Sequence, residues 1–273
     1  MTRPMKSAAR PNLPKGLARN AMHAIGLAIV LGEFPAGAVL PNEEALAART
    51  GVGRPALREA IKVLSGKGLV RTARRYGSRV CAQAEWNFLD PDVLGWHLSE
   101  PANWPRFLRD TMEMRRLLEP RAAAMAARRA TEAETATILA LAARLPVINT
   151  EAAVDDDVAF HVAVLRASHN AIVAGMAPSM DVLLRAYFSQ TWTLRPEGPY
   201  NFSTTNLHLE MAEAIAAREP DRASRLMEDM LDVSAREVEQ VVLLYEAGLS
   251  GAPRTGDPPA RRAAALTDPT EGP

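Results

Sequence analysis

Apolar residues recur along this chain at the spacing of helices far more than of strands. Met22, Ile25 and Ile29 fall on one face between Leu17 and Gly32, predicting a first helix that Glu33-Phe34-Pro35-Ala36-Gly37 then breaks. Asn42 stands as an N-cap before Glu43 and Glu44, whose charges suit the first turn of a second helix running to Thr50. Gly51-Val52-Gly53 makes a tight turn. A third helix follows from Arg54 to Gly66, with Pro55 tolerated in its first turn. Its Leu57, Ala60, Ile61 and Leu64 form one buried stripe, and Arg54, Arg58 and Lys62 form a basic ridge on another face. Leu69–Ala73 and Ser78–Cys81 then read as two short strands around Arg74-Arg75-Tyr76-Gly77, a hairpin with a basic tip.

The rest of the chain is rich in Ala, Leu and Met and predicts helices over 105–129, 132–145, 151–168, 171–194, 204–218 and 220–246. Pro120 should kink or break the first of these, and Thr131 with Glu134 resembles a capping box for the second. The fold class expected is mostly α, a winged helix-turn-helix over 15–83 followed by an antiparallel helical bundle over 105–248. Residues 84–104 form a linker holding Trp86 and Trp96, too aromatic for a free tether and therefore expected to pack. Residues 1–14 and 249–273, the latter rich in Pro, are expected to be disordered.

Charge sharpens this division. The chain of 273 residues has a formal net charge of zero, yet residues 1–83 hold 14 Lys and Arg against 4 Asp and Glu. The remainder holds 18 against 28, so a module of charge +10 precedes one of −10. Such asymmetry points to a basic domain that meets a polyanion and an acidic one that does not. Cys81 is the only cysteine, so no intrachain disulfide forms. The apolar run Ala21–Gly32 is shorter than the roughly 20 residues that span a bilayer. A cytoplasmic protein without a membrane partner is expected.

A basic ridge on a lone helix is usually a solvated surface. On the second helix of a helix-turn-helix it fits the major groove of double-stranded DNA, where Arg can bond guanine in a bidentate manner or clamp phosphates. Arg74 and Arg75 in the wing would lie along a minor groove or on phosphates. In the bundle, Asp157 and His161 stand four residues apart on one helix face, close enough to share a metal ion or a hydrogen bond. His208 begins a face with Met211, Ala212 and Ile215, pointing to the core. The alternatives are an Asp run that favours a helix N-terminus and a satisfied core histidine. A metal-dependent enzyme would need a general base, a nucleophile motif or a phosphate loop, and none is evident. A dimerisation module without an effector is the third reading.

Leu40-Pro41-Asn42-Glu43 through Leu46-Ala47, Gly51 through Ala60, Leu64, Gly68-Leu69-Val70 and Gly77 resemble the GntR family of bacterial winged-helix regulators. That resemblance implies DNA contacts from Arg54 and Arg58, with Arg74 near Gly77 in the wing. Gly53 stands where a Ser or Thr is frequent, and Glu44 where some members carry Arg. Glu113, Arg115, Leu118, Glu119, Ala126-Ala127, Asp157, Phe160-His161, Asn170, His208 and Ala214-Ile215 resemble the FCD effector domain of the FadR branch. It implies a divalent metal, Zn²⁺ first with Ni²⁺ or Mn²⁺ as alternatives, on Asp157, His161 and His208. Met230 occupies the place of a fourth, histidine ligand. Trp86 through Asp90, Asp92-Val93-Leu94, Trp96, Arg185 and Thr191-Trp192 are similar to the galactonate-operon repressors of that branch. That similarity implies a sugar-acid effector, whose carboxylate would be drawn to the metal, Arg115 or Arg185 and whose hydroxyls would be drawn to Asn170 or His169. A homodimer on a palindromic operator is expected, because one winged helix reads only a few base pairs.

Overall fold

The computed structural model describes residues 16–73, 77–145, 151–193 and 202–248, and the chain divides into two compact units between Glu100 and Pro101. The first contains α1 (Leu17–Val30), α2 (Glu43–Thr50), α3 (Arg54–Gly66), β1 (Val70–Ala73), β2 (Gly77–Val80) and α4 (Pro91–His97). The strands pair antiparallel with Val70 opposite Val80 and Ala73 opposite Gly77. This is a winged helix-turn-helix. Asn42 caps α2 by accepting the Ala45 N–H at 2.9 Å, and Gly51 ends it in the left-handed region at φ 67°, where a side chain would be strained.

The predicted stripe is the core of this unit: Leu57, Ala60 and Leu64 are buried, Ile61 partly so, against Met22, Ile25 and Ile29 of α1. The segment after the wing joins the same core. Val93 and Trp96 of α4 are buried in it, and the Trp96 indole N–H donates to Nδ1 of His23 at 2.8 Å. Gly26 of α1 leaves the room: a Cβ there would lie 2.4 Å from the Trp96 ring. Lys67, itself buried, adds a second tie through Nζ, 2.7 Å from both carboxylate oxygens of Asp90 and 2.7 Å from Asp92. Burying an ammonium is tolerable only with partners of this kind.

Among the described residues the second unit is all helical: α5 (Trp104–Arg129), α6 (Glu132–Arg144), α7 (Glu151–Ala167), α8 (Ala171–Gly175), α9 (Ala177–Thr193), α10 (Phe202–Ala216) and α11 (Pro220–Glu246). The long α5 and α11 pack on one another, α7 lies between α5 and α9, and α10 joins α11 to α6. Thr131 and Glu134 close the predicted capping box. Two expectations need correction. Helix α5 runs through Pro120 unbroken: the proline costs the Arg116 carbonyl its partner, about 3 kcal/mol, offset by burial of the Ala122, Ala123, Ala126 and Ala127 face around it. The predicted helix over 171–194 is two, because Pro178 has no N–H to continue the first and instead sits in the opening turn of the second. Among the described residues no helix is long and apolar enough to cross a membrane. The wing residues Arg74 and Arg75 and the terminal segments 1–14 and 249–273 lie outside the described residues.

Candidate functional site

Two places concentrate chemistry, one in each unit. In the first, Arg54, Arg58 and Lys62 all project from the exposed side of α3, opposite its buried stripe. A cleft of about 760 Å³ opens between this helix, the start of α2 and the wing, lined by Glu43, Arg58, Lys62, Gly77 and Ser78 among others. Gly77 has φ 74°, a conformation that favours glycine at the start of β2. Gly53 caps α3 without any side-chain bond, consistent with the missing hydroxyl, and Glu44 is exposed on α2. Arg58 is not bare: its Nε–H donates to both carboxylate oxygens of Glu43, at 2.9 and 3.1 Å.

The second place is buried in the helical unit. Asp157 and His161 of α7 and His208 of α10 bring one ligand atom each to within 4.8 Å of the others, and all three are buried. Oδ1 of Asp157 lies 3.2 Å from Nε2 of His161 and 3.2 Å from Nε2 of His208. Tetrahedral ligands on bonds of ~2.1 Å stand about 3.4 Å apart, so these two separations suit a small divalent ion as well as the hydrogen bond that His208 shares with Asp157. Around them α5 supplies what the spacing of Asp157 and His161 alone did not reveal. Glu119 lies 2.8 Å from Nδ1 of His161 through Oε2, though without hydrogen-bond alignment, and accepts from Nε of Arg115 at 2.8 Å through Oε1. A carboxylate this close to Nδ1 favours a proton on that nitrogen and leaves Nε2 facing Asp157, the orientation a ligating histidine needs.

Arg115 is 1% exposed, with its guanidinium over the rings of Tyr187 and Phe188 at 5.0 and 5.1 Å and Nη2 3.3 Å from Nε2 of His161. Its Nη1 and the Tyr187 hydroxyl are both buried and neither makes a well-aligned hydrogen bond, although the guanidinium and the hydroxyl act on one another electrostatically. Leaving such groups unsatisfied costs about 1–3 kcal/mol each, so they mark a place where a polar ligand can be received. Burial pushes Glu119 up, but Arg115 and His161 outweigh it and hold its carboxyl at about 2. Burial likewise raises Asp157, and hydrogen bonds to His161 and His208 more than reverse this, leaving it well below the usual carboxylate range. For His161 burial favours the neutral ring, and the carboxylates of Glu119 and Asp157 overcome it, so its affinity for a proton rises. Glu119, Tyr187 and Phe188 were not singled out as site residues from sequence. The signal was the pair Arg115 and Glu119 at i, i+4 among Thr111, Met112 and alanines.

The remaining expected effector residues are elsewhere. Arg185 points outward on α9, paired with Asp181 at 2.9 Å and with Asp155, rather than inward as the sequence reading had it. Asn170 caps α8, accepting from the N–H of Ile172 at 3.0 Å and of Val173 at 3.4 Å. A short polar residue before a helix start is bound to its own backbone first. Met230 is buried in α11.

These two sites have recognisable counterparts. Residues 17–80 match the model of bacterial regulatory proteins of the gntR family, and residues 110–233 match the FCD domain. The galactonate operon transcriptional repressor of Escherichia coli strain K12 is 31% identical over 219 residues, covering 80% of this chain and 94% of that protein. The Glc operon transcriptional activator of the same strain is 28% identical over 223 residues, 79% of this chain and 86% of the relative. A solved structure titled for Lar, which controls expression of the Listeria monocytogenes agr system, shares the fold at TM-score 0.55 and 18% identity, covering 85% of this chain and all of that one. With its winged helix, helical FCD unit and relatives that are regulators rather than enzymes, this chain belongs to the GntR family of transcription regulators.

Proposed function

We propose that the protein is a homodimeric repressor that reads a palindromic operator with α3 and leaves or changes its grip when a sugar acid binds the buried cluster of the FCD unit. The exposed ridge of Arg54, Arg58 and Lys62 supports the first half, since it is the face a recognition helix presents to the major groove. Arg74, Arg75 and Gly77 of the wing would add phosphate or minor-groove contacts. A two-fold dimer doubles a half-site contact that one winged helix makes weakly alone.

The single observation that carries the second half is the buried Arg115 guanidinium, whose Nη1 makes no well-aligned hydrogen bond, beside three converging Asp and His ligand atoms. The charges add to an argument. Arg115 cancels Glu119, and Asp157 leaves one negative charge that a proton on His161 can balance. A divalent ion on Asp157, His161 and His208 would instead leave a net positive site, neutralised by one carboxylate. When bound, the ion supplies a Lewis-acid anchor for that carboxylate and a neighbouring hydroxyl. A fourth ligand from Met230 would be poor for Zn²⁺, so positions for effector oxygens remain open. Galactonate, after which the relative's operon is named, is a 2-hydroxycarboxylate and matches this donor pattern.

The test is a thermal-shift screen of aldonates with and without Zn²⁺, Ni²⁺ or Mn²⁺, with elemental analysis of the purified protein. An aldonate that raises the melting temperature, loses its effect in chelator, and releases the operator fits the reading. If no metal is found and Asp157→Ala responds to the same aldonate at unchanged concentration, the metal-anchored mechanism is wrong.

A further inference from the structure

The recognition helix carries three exposed cations, and only one of them is held. Neither Arg54 nor Lys62 forms an ion pair among the described residues, whereas Arg58 is engaged by Glu43 from the first turn of α2. The engagement is one-sided in a way that matters. Both carboxylate oxygens take the same Nε–H, at 2.9 and 3.1 Å, and the Nη–H donors of the fork meet no acceptor within the described residues. An arginine gripped through Nε is fixed in direction while its outer edge, the edge that bonds O6 and N7 of guanine, stays open.

Glu43 is itself anchored. It opens α2, directly after the Asn42 cap, where the unpaired backbone N–H groups favour a negative charge. The pair lines the cleft between α3 and the wing, with side chains 69% and 47% exposed, and Arg54 adds a weaker attraction to the same carboxylate. The Arg58 bond lowers the proton affinity of Glu43, which keeps the carboxylate charged. A fixed negative charge on this face also repels phosphate. A free Arg58 would fall onto the nearest phosphate oxygen, a contact without sequence content.

From this geometry we infer that Glu43 is a specificity-determining positioning residue: it holds Arg58 by Nε, keeps it off the DNA backbone and aims its Nη edge at a base. This rests on α3 being the recognition helix. It predicts that removing Glu43 makes the protein a less selective DNA binder rather than a weaker one.

The experiment uses the full chain, a palindromic duplex recovered by in vitro selection with the unmodified protein, and a scrambled duplex of the same length. Affinities for both are measured across a salt series for the unmodified chain, Glu43→Ala, Glu43→Gln, Arg58→Ala and Glu43→Ala/Arg58→Ala. For Glu43→Ala the ratio of operator to scrambled affinity should fall about tenfold, within the range lost with one good base contact. Scrambled-duplex affinity should hold or rise, and the salt slope steepen by about 0.9 for each phosphate that Arg58 now takes. Glu43→Gln, which keeps the shape and the cap, should fall between, and the double variant should match Arg58→Ala. Equal changes on both duplexes, or Glu43 and Arg58 effects that multiply, would overturn the inference alone. Unchanged operator affinity in Arg58→Ala would overturn it together with the recognition-helix reading.

Discussion

Gly26→Ala should destabilise the DNA-binding unit, although the same change in the middle of an ordinary helix stabilises it by about 1 kcal/mol. Gly26 is buried within α1, and an ideal Cβ would stand 2.4 Å from Cη2 and Cζ3 of Trp96 and 2.8 Å from Cε3. Carbon atoms rest at about 3.5–4.0 Å, so the ring must retreat by more than 1 Å. It has nowhere easy to go, being 2% exposed in a core shared with Met22, Ile25 and Val93. Retreat also draws Nε1 away from His23 and loses a hydrogen bond worth about 0.5–1.5 kcal/mol. Overpacking of this kind costs about 1–3 kcal/mol, so with the lost hydrogen bond and after the propensity gain the net is about 0.5–3.5 kcal/mol of lost stability. For a unit of this size each kcal/mol moves the melting temperature by about 4–8 °C. Urea and thermal unfolding of the full chain, followed by tryptophan fluorescence, give the size, and hydrogen exchange in α1 and α4 peptides gives the place. In a Trp96→Leu background the indole is gone and Gly26→Ala should become neutral or stabilising. A Gly26→Ala protein as stable as its parent would refute the claim that Trp96 needs this notch to dock α4.

Three further outcomes follow from the helical unit. Glu119→Gln removes the charge facing Arg115 and His161; unfolding should show a loss of about 3 kcal/mol, and chelator competition a divalent-ion affinity lower by about 10–100-fold. Stability and ion retention both at parental level would show that Glu119 supports neither. If the proposed divalent ion binds Asp157, His161 and His208, Met230→His should slow its loss to a chelator while leaving operator affinity without effector unchanged; identical release rates would place residue 230 away from that site. Glu134, held at about 2 by the Thr131 N–H, His169 and the Thr131 hydroxyl, has a folded pKa below its ordinary value. Its contribution is therefore present above about pH 4.5 and lost as pH falls toward 2, amounting to about 1 kcal/mol once solvent screening of a partly exposed group is allowed for. Glu134→Gln should flatten that part of the acid unfolding curve, and a curve of unchanged shape would contradict the assignment.

What the sequence made legible is local, and the physical reason is that its energies are local. Asn42 and the Thr131–Glu134 box announce helix starts because a cap bonds backbone three residues away. Asp157 and His161 announce a shared face because four residues are one turn. His208 is 51 residues from Asp157, and only its apolar neighbours and the family resemblance pointed inward. Where reading failed, the deciding neighbour was distant or the local rule was outvoted. Pro120 should interrupt a helix, yet burial of the alanine face beside it outweighs one missing bond. Arg185 has the composition of an inward anion binder, but Asp155 and Asp181 on the outer surface are nearer and need no desolvation. Glu119 shows the converse. Its i, i+4 spacing from Arg115 reads equally well as a solvated surface pair worth a few tenths of a kcal/mol, and only the packing of α5 against α7 and α9 turns it into a buried carboxylate beside His161. The same two residues thus carry different chemistry in water and in the core. A charged pair flanked by alanines on a helix should be read first as a candidate for burial, because small apolar neighbours are what allow another helix to cover it.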